Sequence, residues 1–341
     1  MGARYNVAVV GASRLEGEAA LALLAERVFP VATLFALDVA EAAGGRVEFR
    51  DGYVRVQDLS GFDFAQAAIA LFFGGEAVAA EHAPRAAAAG CVVIDDSAQF
   101  RGEPSVPLVV PEVNPAALAA YRQRHIIANP GTCATLLAVA LNAIHQAAGL
   151  ARINVATYQA VSGAGKAAVD ELAAQTTALF NMQGVSPGVF PKQIAFNVLP
   201  LIGETLSSGY SCEEIKLGEE TRRVFGDDAL QVNATCVRVP VFYGHSLAVH
   251  LETREPLDAE VARVLLEKSQ GVKVVDAARP PRYPTAVTEA AGSDAVFVGR
   301  VRRDLSHPRG LDLWIVADNV RRGAALNSIQ IAEILVKDYL G

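Results

Sequence analysis

The chain has 341 residues, and at about 150 residues per domain this length predicts two domains whose cores are large enough to fold without disulfide bonds. Hydrophobic residues make up 52% of the chain and charged residues 20%, which excludes an intrinsically disordered protein. The 30 basic and 37 acidic residues leave a formal charge of -7. With no long basic run, the charge argues against nucleic acid as a partner.

The cysteines and the apolar runs indicate a protein of the reducing cytoplasm. Cysteine occurs at four widely spaced positions, without a partner cysteine or histidine at the spacing of a zinc site: Cys91, Cys133, Cys212 and Cys236. We therefore expect neither a metal site nor a disulfide framework. The apolar run near the N-terminus is too short for a signal peptide. The run from Thr135 to Leu150 is interrupted by polar residues and falls short of the ~20 residues of a membrane span.

In the first 130 residues, short β-rich runs alternate with segments of helical periodicity. Strands are predicted at Asn6–Val10, Phe35–Leu37, Ile69–Phe72 and Val92–Ile94, and helices at Glu18–Glu26 and His82–Gly90. This alternation predicts an α/β fold with a doubly wound, Rossmann-like parallel sheet and helices on both of its faces.

Beyond residue 130 the pattern changes to that of an α+β domain. An apolar helix is predicted first, followed by longer alternating strands and one further helix: the helix Ala134–Ala148, the strands Ile153–Val161, Gln231–Pro240 and His245–Glu252, and the helix Val261–Glu267. We expect a catalytic and dimerisation domain at residues 131–315 with one sheet face open to water or to a partner. A final helix at Ala324–Tyr339 should return to the first domain, which then comprises residues 1–130 and 316–341.

The segment Gly11–Gly17 follows a predicted strand and opens a helix. In this context backbone N–H groups and the helix dipole hold a pyrophosphate. Arg14 occupies the middle position and Glu16 adds a negative charge, and both changes oppose dinucleotide binding. The loop is therefore equally consistent with a working site and with a Rossmann turn that has lost its ligand. Asp38 could bind a ribose 2′-hydroxyl and favour NAD over NADP, or it could be a solvated acid at a strand end.

Six sequence blocks, taken together, resemble aspartate-semialdehyde dehydrogenase over essentially the whole chain: Val109–Pro115, Thr157–Lys166, Ala195–Pro200, Ala234–Pro240, Phe297–Leu305 and Leu313–Asn327. The resemblance implies an NADPH-dependent oxidoreductase of amino-acid biosynthesis. That family reduces β-aspartyl phosphate to aspartate semialdehyde through a cysteine thioester, and it forms homodimers. The reductase of N-acetylglutamyl phosphate shares this chemistry but matches the C-terminal blocks poorly.

The resemblance also implies roles for individual residues. Arg238 matches the arginine that grips the substrate carboxylate, His245 the acid–base histidine, and Gln159 the glutamine that orients the reacting carbonyl. Without the resemblance, Arg238 would be interpreted as a solvated or salt-bridged surface residue and His245 as a satisfied strand histidine. The remaining substrate contacts implied are Arg101, Glu213 and Lys216. The implied cofactor contacts are Gly11, Ala12, Ser13, Gly17, Ser162, Gly163, Gly165 and Asn319.

The nucleophile departs from the family pattern, which is Asn-Pro-Asn-Cys. Here Asn129 and Pro130 are followed by Gly131, Thr132 and Cys133, and an ungapped match to the downstream blocks puts Thr132 at the cysteine position. Cys133 comes one residue later, which on a helix is a rotation of about 100°. A threonine hydroxyl, whose pKa lies far above that of a thiol, cannot form the thioester.

The cofactor side departs as well. Phe73 replaces a family serine, and Asp96 and Ala98 stand where the family has Asn and Ser. Acidic and apolar residues at positions 38–41 replace the Arg-Ser pair that binds the NADP 2′-phosphate in the family. We therefore expect a divergent paralogue of the Usg type, with impaired standard activity and with weak or lost binding of NADP or NAD. Two alternatives remain: an active dehydrogenase whose rebuilt loop presents Cys133, and a catalytically silent protein that binds an anionic metabolite or a partner protein.

Overall fold

The computed structural model describes residues 3–277, 280 and 282–340, which form two compact units. Of these residues, unit 1 comprises those up to 131 and from 324 onward, and unit 2 comprises those from 132 to 323. The second boundary lies at Gly323/Ala324, where the sequence predicted 315/316. The strand that ends at Ala317 belongs to the sheet of unit 2. Unit 2 therefore extends beyond residue 315.

Unit 1 is built on a seven-stranded sheet of order β3-β4-β2-β1-β5-β6-β7. Its strands are β1 (Tyr5–Val10), β2 (Val31–Asp38), β3 (Arg46–Phe49), β4 (Gly52–Asp58), β5 (Ile69–Phe72), β6 (Val92–Asp95) and β7 (Ile126–Ala128), and its first helices are α1 (Leu15–Glu26) and α2 (Glu76–Ala88). The predicted Rossmann-like parallel sheet is confirmed. All of β5 and β6 is buried, as expected of central parallel strands. The antiparallel β3–β4 hairpin at one edge was not predicted.

Unit 2 is built on a six-stranded mixed sheet of order β11-β12-β13-β10-β8-β9. Its elements in chain order are α3 (Thr132–Ala148), β8 (Leu150–Gln159), α4 (Lys166–Phe180), α5 (Cys212–Phe225), β9 (Gln231–Arg238), β10 (His245–Thr253), α6 (Ala259–Glu267), β11 (Val272–Val274), β12 (Val296–Arg303) and β13 (Gly310–Ala317). Over most of β8 and β10, buried residues alternate with half-exposed ones. Unit 2 is therefore the predicted α+β domain, and one face of its sheet is more exposed than the other.

The C-terminal helix α7 (Asn327–Asp338) belongs to unit 1. A π-helical segment, Asn319–Leu326, precedes it, so the regular helix begins three residues later than predicted. Ile329, Ile331 and Leu335 are fully buried in the core of unit 1, and each such side chain contributes about 2 kcal/mol. Among the described helices, none is long and apolar enough to cross a membrane.

Two helices of unit 2, α4 and α5, were not predicted. Helix α5 is mostly polar and has few apolar residues from which a helix could be recognised. Its ends were nevertheless marked in the sequence. Ser211 and Glu214 form a capping box, and Gly226 ends the helix in the left-handed conformation at φ 64°, which glycine adopts without strain.

Candidate active site

Three polar side chains of unit 2 meet where three neighbouring strands end. Gln159 is the last residue of β8, Arg238 is the last of β9, and His245 is the first of the antiparallel β10. Gln159 and Arg238 are register partners, and all three residues are at least 94% buried. The strand order β10-β8-β9 therefore gathers these residues at one end of the sheet.

His245 is held as a neutral imidazole. Its Nδ1 accepts the backbone N–H of Ala160 at 3.2 Å, which leaves the ring proton on Nε2. Burial lowers the pKa of His245 well below its ordinary value, and the charge of Arg238 acts in the same direction. The ring therefore presents an N–H donor.

Gly163 leaves open the space that His245 and Arg238 border. A Cβ at this position would stand 3.0 Å from Nη1 of Arg238 and 3.1 Å from Nε2 of His245, which is closer than most side-chain contacts. Any larger residue would occupy the space between the two side chains. Gly163 is thus a structural requirement for an accessible site.

Opposite charges are arranged across the site. Arg238 donates from Nη1 to the carbonyl oxygen of Ala160 at 2.6 Å. Burial lowers the pKa of its guanidinium group, and the carboxylate of Glu213 opposes this shift. Gln159 donates from Nε2 to Oε1 of Glu213 and to Oγ1 of Thr157, each at 3.3 Å. A buried cation and a half-buried carboxylate therefore flank one amide side chain.

The first turn of α5 is fixed against β9. Glu214 accepts the backbone N–H of Ser211 at 2.8 Å and the backbone N–H of Cys236 at 3.0 Å. This second bond ties the helix start to the strand that ends at Arg238, and so it positions the adjacent Glu213. Lys216 follows three residues later on the half-buried side of the helix. Glu214 was missed in the sequence, although the Ser-x-x-Glu spacing of the capping box could have indicated it.

Thr132 and Cys133, the first two residues of α3, have different surroundings. Thr132 is partly exposed and donates from Oγ1 to the carbonyl oxygen of Asn319 at 3.4 Å. Cys133 is 3% exposed. Burial raises the pKa of its thiol well above the ordinary value, and Glu213 adds to this shift. A neutral, buried thiol is the opposite of an activated nucleophile.

Asn319 connects the loops that carry Gly163 and His245. Its Oδ1 accepts the backbone N–H of Gly244 at 2.9 Å and the hydroxyl of Ser162 at 3.1 Å, and its Nδ2 donates to the same hydroxyl at 3.0 Å. Asn319 is 3% exposed. Ser162 and Asn319 therefore bond to each other within unit 2. Gly165, with φ 86°, precedes α4.

Gly244 is a further residue that sequence reasoning missed. It adopts φ 93°, and a Cβ there would stand 2.9 Å from Ala286. Only glycine fits this position without strain, directly before His245. Its place between an aromatic residue and the candidate histidine, in Tyr243-Gly244-His245, was the available signal.

Unit 1 retains the backbone of a phosphate-binding glycine loop. A Cβ at Gly11 would stand 2.7 Å from the backbone of Phe73, and one at Gly17 would collide with the carbonyl oxygen of Gly11. The start of α1 has no side-chain cap from Arg14, and a helix start of this kind favours an anion, although the Glu16 carboxyl group accepts its own backbone N–H. The close packing of these glycines fits a nicotinamide dinucleotide.

The side chains around this loop fit less well. Arg14 is exposed, and its Nη1 lies 3.4 Å from the position of a Cβ at Gly75. Glu16 is half-buried, and burial raises the pKa of its carboxyl group. The predicted departures Arg14, Glu16 and Phe73 therefore all lie at the loop. Phe73 itself is 5% exposed, so its ring is part of the core of unit 1.

Asp96 and Arg101 lie together in unit 1. Arg101 donates from Nε to the carbonyl oxygen of Asn129 at 2.8 Å and from Nη2 to that of Asp96 at 2.5 Å. Asn129 donates to the Asp96 carboxyl at 2.5 Å. Burial raises the pKa of Asp96 to about 8, against the effect of Arg101, and raises that of Asp95 to about 6. In the described part of the chain, no group of three metal-binding side chains is present.

Comparisons with known proteins identify the family. A model described as the semialdehyde dehydrogenase NAD binding domain matches residues 6–121, and one described as the semialdehyde dehydrogenase dimerisation domain matches residues 141–322. The aspartate-semialdehyde dehydrogenase of Shewanella violacea is 51% identical over 339 residues, which cover 99% of this chain and 100% of that protein. The chain belongs to the aspartate-semialdehyde dehydrogenase family. The family predicted from the six sequence blocks is thus confirmed.

Other members of the family agree over the same length. The aspartate-semialdehyde dehydrogenase of Legionella pneumophila is 51% identical over 340 residues, covering 100% of this chain and 98% of that protein. A crystal structure of aspartate semialdehyde dehydrogenase II from Vibrio cholerae, complexed with ASA, is 50% identical with a TM-score of 0.97. It covers 99% of this chain and 100% of that one. The family fold therefore extends over both units.

Proposed function

We propose that this family member binds a small amino-acid-like anion in unit 2 and carries out the reaction of aspartate-semialdehyde dehydrogenase only weakly, because Thr132 occupies the position of the nucleophilic cysteine. The state of the Cys133 thiol carries this proposal. A thioester needs a thiolate, whereas burial and the neighbouring Glu213 carboxylate raise the pKa of this thiol well above its ordinary value.

The charges of the site favour a substrate with an ammonium group and a carboxylate. Arg238 offers N–H donors to a carboxylate, and Glu213 offers an acceptor to an ammonium group. His245, neutral with its proton on Nε2, is suited to donate a hydrogen bond to a carbonyl oxygen rather than to act as a base. Aspartate semialdehyde has these groups. The Vibrio cholerae structure, which is 50% identical to this chain, is described as a complex with ASA.

The glycine loop of unit 1 supports binding of a nicotinamide dinucleotide, which supplies or accepts hydride when bound. Gly11 and Gly17 keep the close backbone packing, and the uncapped start of α1 favours a pyrophosphate. Arg14 and Glu16 change the surroundings of that anion, and Asp96 adds a carboxyl group whose pKa is about 8. We therefore expect weaker cofactor binding than an all-glycine loop would give.

The test is the turnover of Cys133→Ala. With aspartate semialdehyde, phosphate and either NAD⁺ or NADP⁺, the wild-type chain should reduce little cofactor, and Cys133→Ala should match it, since the buried thiol takes no part. Cofactor reduction is followed by absorbance, with Cys236→Ala as the matched buried-cysteine control. Robust wild-type turnover that only Cys133→Ala abolishes would reject the proposal.

That opposite result would support the active dehydrogenase with Cys133 as nucleophile. One observation favours this second candidate: the charges of Glu213 and Arg238 both act on the thiol, so Cys133 lies near the same site. If instead no turnover occurs with any cofactor while the anion still binds, the chain is a silent family member.

We further propose a homodimer formed by the open face of the unit 2 sheet. Trp314 on β13 packs against Tyr158 on β8, with ring centroids 5.5 Å apart, on the half-exposed face. A half-exposed sheet face that carries aromatic residues favours an isologous interface. Light scattering at micromolar concentration should give twice the 35.9 kDa of the chain, and Trp314→Glu should shift the mass to the monomer. A monomeric wild type would refute the dimer.

A further inference from the structure

We infer that unit 1 discriminates between the two nicotinamide dinucleotides and prefers NAD, with Asp38 and Glu41 as the residues that determine this specificity. The inference rests on the proposed function in one respect, namely that the glycine loop binds a dinucleotide. It goes beyond that function because it assigns the discrimination to the end of β2, outside the phosphate loop and outside unit 2.

The Asp38 carboxylate is fixed against the glycine loop. Asp38 is the last residue of β2 and is 4% exposed. Its Oδ2 accepts the backbone N–H and the hydroxyl of Ser13 at 3.2 and 2.8 Å, and its Oδ1 accepts the N–H of Val39 at 2.9 Å. The carbonyl oxygen of the preceding Leu37 accepts the N–H groups of Gly11 and Ala12. The carboxylate thus has a defined position beside the loop.

This position distinguishes a 2′-hydroxyl from a 2′-phosphate. A carboxylate offers about four acceptor sites, and three of those of Asp38 are used by Ser13 and Val39. The fourth can accept the proton of a ribose hydroxyl, as an acidic residue in this place does in dinucleotide-binding folds. A phosphate group has no such proton near neutral pH, and its negative charge is repelled by the carboxylate.

The sequence after β2 supplies no positive charge to offset this repulsion. Residues 38–45 contain two acids, Asp38 and the exposed Glu41, and no lysine or arginine. The next basic residue, Arg46, begins β3, which is separated from β2 by β4. At about 4.8 Å between neighbouring strands, β3 lies on the order of 10 Å away.

Arg14 does not supply the charge either. Its Nη1 lies near Gly75, which follows β5. The strand order β2-β1-β5 puts β5 and β2 on opposite sides of β1. The guanidinium group is therefore directed away from Asp38. The end of β2 therefore carries the carboxylates of Asp38 and Glu41, beside Asp58, the register partner of Asp38 on β4.

Calorimetric titration of the full chain with NAD⁺ and with NADP⁺ tests the inference without measuring turnover. The wild type should bind NAD⁺ at least about tenfold more tightly than NADP⁺. The double substitution Asp38→Ser and Glu41→Arg, which removes one acid and supplies a cation for the 2′-phosphate, should shift the ratio of the two dissociation constants toward NADP⁺ by about tenfold or more. Asp51→Ser, at an exposed acid in the β3–β4 turn of the same unit, should leave the ratio unchanged.

The inference is overturned if the wild type binds NADP⁺ as tightly as NAD⁺, if the double variant keeps the wild-type ratio, or if neither dinucleotide binds at millimolar concentration. Thermal melting checks that each variant folds. If Asp38→Ser does not fold, Glu41→Arg alone must still raise the affinity for NADP⁺. None of these outcomes depends on Thr132 or Cys133, so they are distinct from the turnover test of the proposed function.

Discussion

Thr132→Cys, introduced into a Cys133→Ala background, should create a reactive thiol and raise turnover of aspartate semialdehyde by at least about 100-fold over the threonine protein. Thr132 is the first residue of α3, a helix of 17 residues. The unpaired N–H groups and the dipole at such a helix start lower the pKa of a thiol. The thiolate could then add to the aldehyde to form a thiohemiacetal, whose hydride would pass to a bound nicotinamide to leave a thioester. Phosphate would displace the thiolate from that thioester and form the acyl phosphate. Cofactor reduction measures the rate, and the intact mass of the protein reports the thioester.

Thr132→Ser in the same background is the matched control, because it also removes the methyl group but supplies no thiol. It should remain as slow as the parent. We expect only partial recovery with cysteine, since Arg14 and Glu16 still change the glycine loop. An equal gain from serine would show that loss of the Thr132 methyl group beside Gly323, rather than the thiol, was responsible. A fully silent cysteine variant that retains a reactive thiol would show that position 132 is not the nucleophile position.

The central strands of unit 1 were predicted because short continuous apolar runs are typical of strands buried in the middle of a parallel sheet. The predicted strand Ile69–Phe72 coincides with β5. The β3–β4 hairpin was not predicted, because its residues are mostly exposed and it is specified by pairing across the edge of the sheet. The start of α7 shifted for a related reason: the bonds of residues 319–326 form a π-helical segment that side-chain periodicity does not distinguish from an α-helix.

The candidate site was predicted largely through the family resemblance, which named Gln159, Glu213, Arg238 and His245 before their contacts were known. Residue order alone did not indicate that Asn319 would bond to Ser162 and to the backbone of Gly244. Such bonds join residues far apart in the chain. The burial of Cys133 was likewise not predictable, since it depends on how α3 packs against α5 and the sheet.

Arg238→Met should weaken the binding of an anionic ligand to unit 2 by about 100-fold, which corresponds to about 2.8 kcal/mol. Arg238 is 6% exposed, and charge-assisted bonds from a guanidinium group to a carboxylate are strongest where water is excluded. Arg238→Lys should bind with intermediate affinity, because it keeps the charge but loses the planar fork. Titration calorimetry with sulfate, phosphate and aspartate semialdehyde measures the change, and Arg152→Met, an exposed arginine of the same unit, is the control.

Gly163→Val separates the contribution of space from that of charge. It keeps Arg238, Glu213 and His245 but fills the gap in which even an added Cβ would stand 3.0 Å from the guanidinium group. We expect binding to be lost as completely as in Arg238→Met, while Gly163→Ala, whose single methyl group needs shifts of only a few tenths of an ångström, should lose less. Anion binding that persists in both Arg238→Met and Gly163→Val would mean that the ligand lies elsewhere, since neither the charge nor the space assigned to it would then be required.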